Sequence, residues 1–289
     1  MSRYGQRTRL NTVPGNNSIS AWYGTTPVPT APIADILVVG GGGGGGYSDV
    51  SGSRGAGGGG AGGYRLLQNQ VLAGSYSITV GAGGAESTKG VTSTFGPISS
   101  TGGGYGGNVP NVAAGGPGGS GGGSGEYDGT ANRVGGAGNQ GGYTPVEGYA
   151  GSNNYSSGGG TGAAGGGATG VGGNGTYAGQ AVSGPGATSS ITGTSVTYSL
   201  GGAGGGADTG SAGSAGTVNT GNGGQGGAGK PSPYARQSGG AGGSGIVVIA
   251  YLDTYPPITT IPIGLTYTQP ARAGYRVYRF TQGTGTVVI

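Results

Sequence analysis

The chain has 289 residues, of which 83 are glycine, 32% are apolar and 7% are charged. Typical globular domains have about 45–50% apolar and about 25% charged residues, so neither a large conventional side-chain core nor a highly charged disordered chain is expected. The chain has no cysteine or histidine and a formal net charge of +4, which excludes disulfides and zinc sites built from cysteine and histidine.

The first segment, residues 1–32, is polar and carries four prolines, at positions 14, 27, 29 and 32. Proline fixes the backbone and cannot donate a hydrogen bond, so we predict an extended N-terminal arm that docks onto another subunit. Three scattered arginines are too few for a nucleic-acid surface, and we expect no nucleic-acid partner. The docking candidates are Arg3, Arg7, Arg9, Trp22 and Tyr23.

The second segment, residues 33–251, is a glycine-rich body. All but seven of the glycines lie between Gly40 and Gly245. Two apolar runs frame the body, Ile33–Val39 and Ile246–Tyr251. Short β-branched runs bounded by glycine are typical of buried strands, so these two runs are predicted to pair with each other and close the domain.

Further strands are predicted inside the body. Residues 75–80 alternate with period two, which indicates a half-buried strand. Residues 91–104 and 191–202 are threonine-rich and serine-rich strand candidates that run into glycine. Apolar residues do not recur with helical spacing over the length that a helix requires. The fold class is therefore all-β or irregular, with essentially no α-helix.

The glycine tracts suggest an architecture of their own. Residues 40–46 are an unbroken row of glycines, whereas collagen requires glycine at every third position with abundant proline. In the threefold extended conformation, the N–H and C=O groups point sideways and can pair with parallel or antiparallel neighbours. We predict packed polyglycine-II helices framed by short β-strands. Alanine, serine, asparagine and tyrosine are expected only on the faces of this lattice or at its turns.

The third segment, residues 252–289, begins with a proline-rich linker. Residues 275–280 and 285–289 are both strand-like, and glycines lie between them. This pattern predicts a C-terminal β-hairpin with glycine at the turn.

Tyrosine is the most abundant aromatic residue, with 18 copies against two phenylalanines and one tryptophan. Many of the tyrosines lie among glycine, serine and asparagine, which is the composition of antibody binding loops. Alternatively, their rings pack over glycine ridges and seal the lattice. The receptor-contact candidates are Tyr127, Tyr143, Tyr149, Tyr155 and Tyr177.

Two glycine motifs imitate cofactor sites. The run from Asp35 into Gly40 resembles a strand that leads to a dinucleotide-binding loop, but the helix that must follow is not predicted. Residues 224–230 resemble a phosphate-binding loop, with Pro231 where a serine or threonine would bind magnesium. Glu126 and Asp128 are interpreted as part of a solvated loop. We expect no catalytic, cofactor or metal site, and no enzyme.

Several segments resemble, in order, the glycine-rich domain of virion proteins of tailed bacteriophages, which are similar in composition to tail-fibre tip adhesins. The matching segments are residues 35–43, 62–65, 72–84, 190–198 and 242–251. The resemblance implies a structural virion protein on a tail fibre or the capsid exterior, with a sandwich of polyglycine helices whose loops at one end bind the bacterial surface. It implies other virion proteins and a host glycan or outer-membrane protein as partners, and a homotrimer is possible.

Two other functions stay open: a capsid decoration or head-fibre protein docked by residues 1–32 and the C-terminal hairpin, and a cellular glycine-rich matrix protein. In the proteins that the chain resembles, a segment like residues 274–287 usually precedes the glycine-rich body, but here it follows the body. The sequence therefore leaves open which end would face a host.

Overall fold

The structure is a computed structural model. It describes residues 31–49, 54–111, 113–126, 133–155, 160–176, 179–207, 209–229 and 235–289. Of the predicted N-terminal arm, only residues 31 and 32 are among them.

Within the described residues the fold is all-β, without α-helix, as predicted. The ten strands are β1 (Ile33–Val39), β2 (Tyr64–Val71), β3 (Ser75–Thr79), β4 (Ser93–Phe95), β5 (Ile98–Ser100), β6 (Ala187–Ser189), β7 (Val196–Tyr198), β8 (Ile246–Leu252), β9 (Leu265–Thr268) and β10 (Tyr275–Val288). Eight of them form one antiparallel sheet in the order β2-β1-β8-β10-β3-β4-β5, with β9 also paired to β10. Strands β6 and β7 form a separate hairpin.

The two framing strands pair as predicted. Strand β1 lies antiparallel to β8, with Ile36 opposite Ile249 and Val38 opposite Val247. These four side chains are buried on the inner face of the curved sheet, together with Phe280 from β10. The outer face of β1 and β8 is covered by the β6–β7 hairpin, so that both faces of these strands are buried. Burial on both faces explains why β1 and β8 are nearly continuous apolar runs.

The predicted C-terminal hairpin is wrong in its position. Strand β10 runs without a break from Tyr275 to Val288, and its antiparallel hairpin partner is β9. A side chain on Gly283 would place its Cβ 1.9 Å from the carbonyl oxygen of Gly264, and the φ of Gly283 is +100°. This glycine therefore permits a close approach of the preceding loop, and it does not mark a turn.

Residues 40–46 form the centre of the predicted polyglycine lattice. Their amides donate to three neighbouring segments, and every third amide reaches the same segment. The amides of residues 40, 43 and 46 donate to the carbonyls of residues 63, 60 and 57, respectively. Those of residues 41 and 44 donate to residues 91 and 88, and those of residues 42 and 45 to residues 243 and 240. Their carbonyls accept with the same period from residues 103 and 106, 84 and 87, and 224 and 227. The N···O distances are 2.8–3.0 Å. Six neighbours and a threefold repeat are the arrangement of packed polyglycine-II helices.

Residues 55–63 form a second helix with six neighbours. Glycine is required in such helices because of backbone contacts: a Cβ on Gly42, for example, would lie 2.0 Å from the carbonyl oxygen of Asn222. The prediction that small side chains stay on lattice faces and turns is wrong, because Ala56 and Ala61 are fully buried in this second helix. A methyl group is therefore accommodated at some lattice positions but not at most.

The lattice has two different ends. Strands β1, β2 and β8 are continuous with lattice segments, so the sheet closes one end, which we call the sheet end. Pro32 and Ile289 both lie at the sheet end, where they bond the backbone of Leu72 and Gly74. The opposite end, which we call the far end, carries the isolated bridges that join residues 48 to 109 and 237, 54 to 160, and 154 to 175.

Candidate contact surface at the far end

The far end is where the described segments of the glycine-rich body begin and end. Residues 40–49 run toward this end and residues 54–63 run away from it, as the antiparallel hydrogen bonds between them show. By the same alternation, residues 109, 126, 155, 176, 207 and 229 also lie at the far end. Other turns of the body, such as residues 140–147, lie at the sheet end.

Tyr155 is the most exposed tyrosine described at this end, with 71% of its surface accessible. Its hydroxyl accepts a hydrogen bond from Nδ2 of Asn153 at 3.0 Å, while Oδ1 of the same asparagine accepts from the amide of Gly135 at 2.8 Å. Asn154, the residue between them, is buried and donates from Nδ2 to the carbonyl of Thr161 at 2.7 Å. An exposed ring is thus attached to an anchored backbone.

A second cluster lies on the same end around Tyr47, the first residue after the opening glycine run. The guanidinium of Arg236 lies 4.3 Å from the centre of the Tyr47 ring and forms an ion pair with Glu86. The other carboxylate oxygen of Glu86 accepts from the amide of Gly239 at 3.0 Å. Asn108 accepts from the Tyr47 amide at 3.0 Å. In this cluster Arg236 is exposed, whereas Tyr47 and Asn108 are half-buried.

Glu126 corrects the sequence interpretation of a solvated loop. Its side chain is fully buried, and a carboxylate oxygen lies 3.5 Å from Nε of Arg54. Arg54 also accepts a hydrogen bond at its carbonyl from Oγ of Ser48 at 2.8 Å. Glu126 therefore links the end of one lattice helix to Arg54 at the start of another. Asp128 lies outside the described residues.

The described part of the chain offers little for other kinds of site. It contains no group of acidic residues able to hold a metal ion. A helix long and apolar enough to cross a membrane is also absent from it. These residues form a lattice of glycine helices with side chains concentrated at its ends. A comparison with known families agrees with this architecture, because the model of the glycine-rich domain matches residues 18–252.

The chain belongs to the glycine-rich domain family. No curated protein and no solved structure matches it. The family match confirms the glycine-rich part of the predicted resemblance, and the likeness to tail-fibre adhesins stays a prediction.

The glycine-rich domain separates the predicted receptor-contact residues. Tyr143 lies at the sheet end: its hydroxyl is 2.6 Å from Oγ of Ser99, and the Arg65 guanidinium is 3.8 Å from its ring centre. Tyr149 is 40% exposed on a helix of the lattice side. Tyr155 is at the far end. Tyr127 and Tyr177 lie outside the described residues, but their neighbours Glu126 and Thr176 are at the far end. The docking candidates also lie outside the described residues: Arg3, Arg7, Arg9, Trp22 and Tyr23.

Sequence reasoning missed the cluster of Tyr47, Glu86, Asn108 and Arg236. Its members are separated by up to 189 positions in the numbering and share no motif. One signal was present for Tyr47, because it is the first large side chain after seven consecutive glycines. A large side chain does not fit at a lattice position surrounded by backbone, so such a residue marks the point where a fully enclosed helix ends.

Proposed function

We propose that the protein is a structural component of a phage particle, a tail-fibre or fibre-tip adhesin whose far end contacts a glycan or outer-membrane protein of the host. The observation that carries the proposal is the separation of the two ends. The sheet closes one end, and the described segments of the glycine-rich body begin and end at the other.

The far end has the side chains of a recognition surface. Tyr155 has a large ring with few rotatable bonds, and its hydroxyl is hydrogen-bonded to Asn153. Tyr47 and Arg236 form a second contact site with an aromatic ring and a cation. Tyrosine, arginine and asparagine are the residues that dominate adaptable binding surfaces, because they give contact area and hydrogen bonds at low entropic cost.

The sheet end has the features of an attachment point. Pro32 bonds Leu72, and Ile289 bonds Gly74, so both ends of the described chain lie within two residues of the same turn. The first and last described residues therefore lie at the sheet end, opposite to the far end. This supports docking through the sheet end with the far end directed outward, the orientation that the sequence left open.

The test compares three of the receptor-contact candidates, of which Tyr155 is described at the far end, with a fourth on the lattice side. The purified full-length protein, labelled on amines, is measured by flow cytometry against a panel of intact Gram-negative cells. We expect binding to at least one strain. The triple variant Tyr127→Ala, Tyr155→Ala, Tyr177→Ala should bind that strain at least about tenfold more weakly, since a central tyrosine contact contributes on the order of 1–2 kcal/mol or more.

The matched control is Tyr149→Ala, which removes an exposed tyrosine from the side of the same lattice and should leave binding within about twofold. Melting temperatures establish that both variants are folded. Binding by the folded triple variant at the wild-type level would contradict the proposal, as would the absence of binding to every strain of the panel.

A further inference from the structure

Strand β1 carries one acidic residue, Asp35, in an otherwise apolar run. On the outer face of the sheet, Leu37 and Val39 pack under the β6–β7 hairpin, with Ile191 among the side chains above them. Asp35 lies farther along the same face, in a groove between that hairpin and β2. A charged side chain in a buried strand requires a physical reason.

A β-bulge lies opposite Asp35. Ala34 pairs with Gln70 and Ile36 with Leu67, so two residues of β2, Gln68 and Asn69, face the single residue Asp35. Asn69 has a left-handed backbone with a φ of +55°, and its amide donates to Oδ1 of Asp35 at 3.4 Å. Bulges and left-handed residues other than glycine are concentrated at binding sites, where they redirect side chains.

Asp35 forms part of the wall of two adjoining grooves, each with a volume of about 240 Å³. One groove is lined by Leu66, Gln68, Arg272 and residues 188–191 of the β6–β7 hairpin and its turn, and the other by Ile33, Asn69, Ala250, Leu252, Tyr255 and Tyr275.

Arg272 is held in place in this groove. Its guanidinium lies 3.6 Å from the ring centre of Tyr275, and its Nη1 donates to the carbonyl of Ile191 at 3.4 Å. Among the described residues, Arg54 forms an ion pair with Glu126, and Arg236 forms one with Glu86. Asp35 and Arg272 thus line one groove without forming an ion pair with each other.

We propose that this groove binds a neutral sugar ring. The Asp35 carboxylate can accept hydrogen bonds from two hydroxyl groups. Arg272 retains guanidinium donors for ring or hydroxyl oxygens, and Gln68 can both donate and accept. One negative and one positive charge cancel, which favours an uncharged ligand. Leu66 supplies apolar surface for the C–H face of the ring.

A larger groove elsewhere serves as a comparison. Its volume is about 480 Å³, and its walls contain Asn219, Ser244 and Gln282 but no ionisable side chain. The Asp35 groove is therefore not distinguished by its size. It differs because a carboxylate, a guanidinium, an amide and a β-bulge lie together in its walls. The Asp35 groove is at the sheet end, so this inference does not depend on the proposed contact role of the far end.

The test uses the full-length protein and saturation-transfer NMR with four probes, the methyl glycosides of glucose, galactose, mannose and N-acetylglucosamine. We expect transfer to at least one probe. Asp35→Asn retains the acceptor for the Asn69 amide but loses the charge, and should weaken binding of that probe at least about tenfold, the effect of removing a hydrogen bond to a charged group.

Asp253→Asn is the matched control, because it removes an equal charge from an exposed turn at the same end and should leave affinity unchanged. If Asp35→Asn does not fold, the exposed residue Gln68 provides the decisive variant, and Gln68→Ala should weaken binding by several-fold. The inference is overturned if no probe shows transfer, or if the folded groove variants bind as tightly as the wild type.

Discussion

The sheet and the glycine lattice are two ways of building a folded interior in one chain. In the sheet, side chains such as Ile36 and Phe280 are fully buried and fill the space between strands. In the lattice, backbones lie so close that a Cβ on Gly42 would be 2.0 Å from a carbonyl oxygen. Both interiors pair their backbone polar groups. They differ in what damages them: the sheet is sensitive to the removal of atoms, and the lattice to their addition.

The largest expected effect comes from adding one methyl group at the lattice centre. In Gly42→Ala, the new carbon meets the backbone of residues 221 and 222, which cannot move without breaking their own hydrogen bonds. We expect a loss of about 4 kcal/mol or more in the free energy of unfolding, an exceptional value for a single substitution. Denaturant unfolding followed by circular dichroism measures it.

The matched control is Gly206→Ala, at another lattice position. There the new Cβ would meet the side chain of Thr209 at 3.2 Å, with no backbone atom among its nearest contacts. A side chain can shift by a few tenths of an ångström, so we expect a change within about 1 kcal/mol. Equal losses in the two variants would show that close backbone packing is not what limits the lattice.

A smaller effect is expected from removing atoms in the sheet. Phe280 is fully buried, with its ring centre 5.8 Å from that of Tyr267. Phe280→Ala should cost about 3–5 kcal/mol by loss of burial and creation of a cavity. Phe280→Leu should cost less, because most of the volume is retained. If the alanine variant loses less than about 1 kcal/mol, the sheet does not depend on its side-chain core.

The sequence predicted the elements that side chains define. Residues 33–39 and 246–251 were recognisable as strands because short β-branched runs next to glycine are buried strands more often than helices. The polyglycine helices were predictable for the opposite reason, since an unbroken glycine row leaves only the backbone to pack. Which helices become neighbours was not predictable, because segments without side chains carry no pattern that distinguishes one partner from another.

The same reason limits the prediction of the contact surface. Tyr143 and Tyr155 lie in similar glycine-rich and asparagine-rich text, yet they are at opposite ends of the domain. Chain direction is the missing information: successive lattice helices alternate, so successive loops fall at alternate ends. Residues 140–147 belong to the sheet end by this alternation, and Glu147 anchors them there by accepting the amide of Thr101 at 2.8 Å.

The last prediction concerns the stability of the protein at alkaline pH, and it expects no change at neutral pH. Burial raises the pKa values of Tyr64, Tyr198 and Tyr251, all at the sheet end, and Tyr278 beside Tyr251 raises the latter further. An unfolded chain loses these protons near pH 10, before the folded chain does. Stability is therefore full below about pH 10 and falls as pH rises above it.

Denaturant midpoints between pH 8 and pH 11 measure this alkaline loss, and phenolate absorbance reports when the buried tyrosines ionise. Tyr251→Phe removes one of the three hydroxyl groups and should make the loss less steep. Because the lattice depends on backbone hydrogen bonds and not on these tyrosines, the sheet end should open first as pH rises. Midpoints that do not change over this range would contradict the inference that burial raises the pKa values of these three tyrosines.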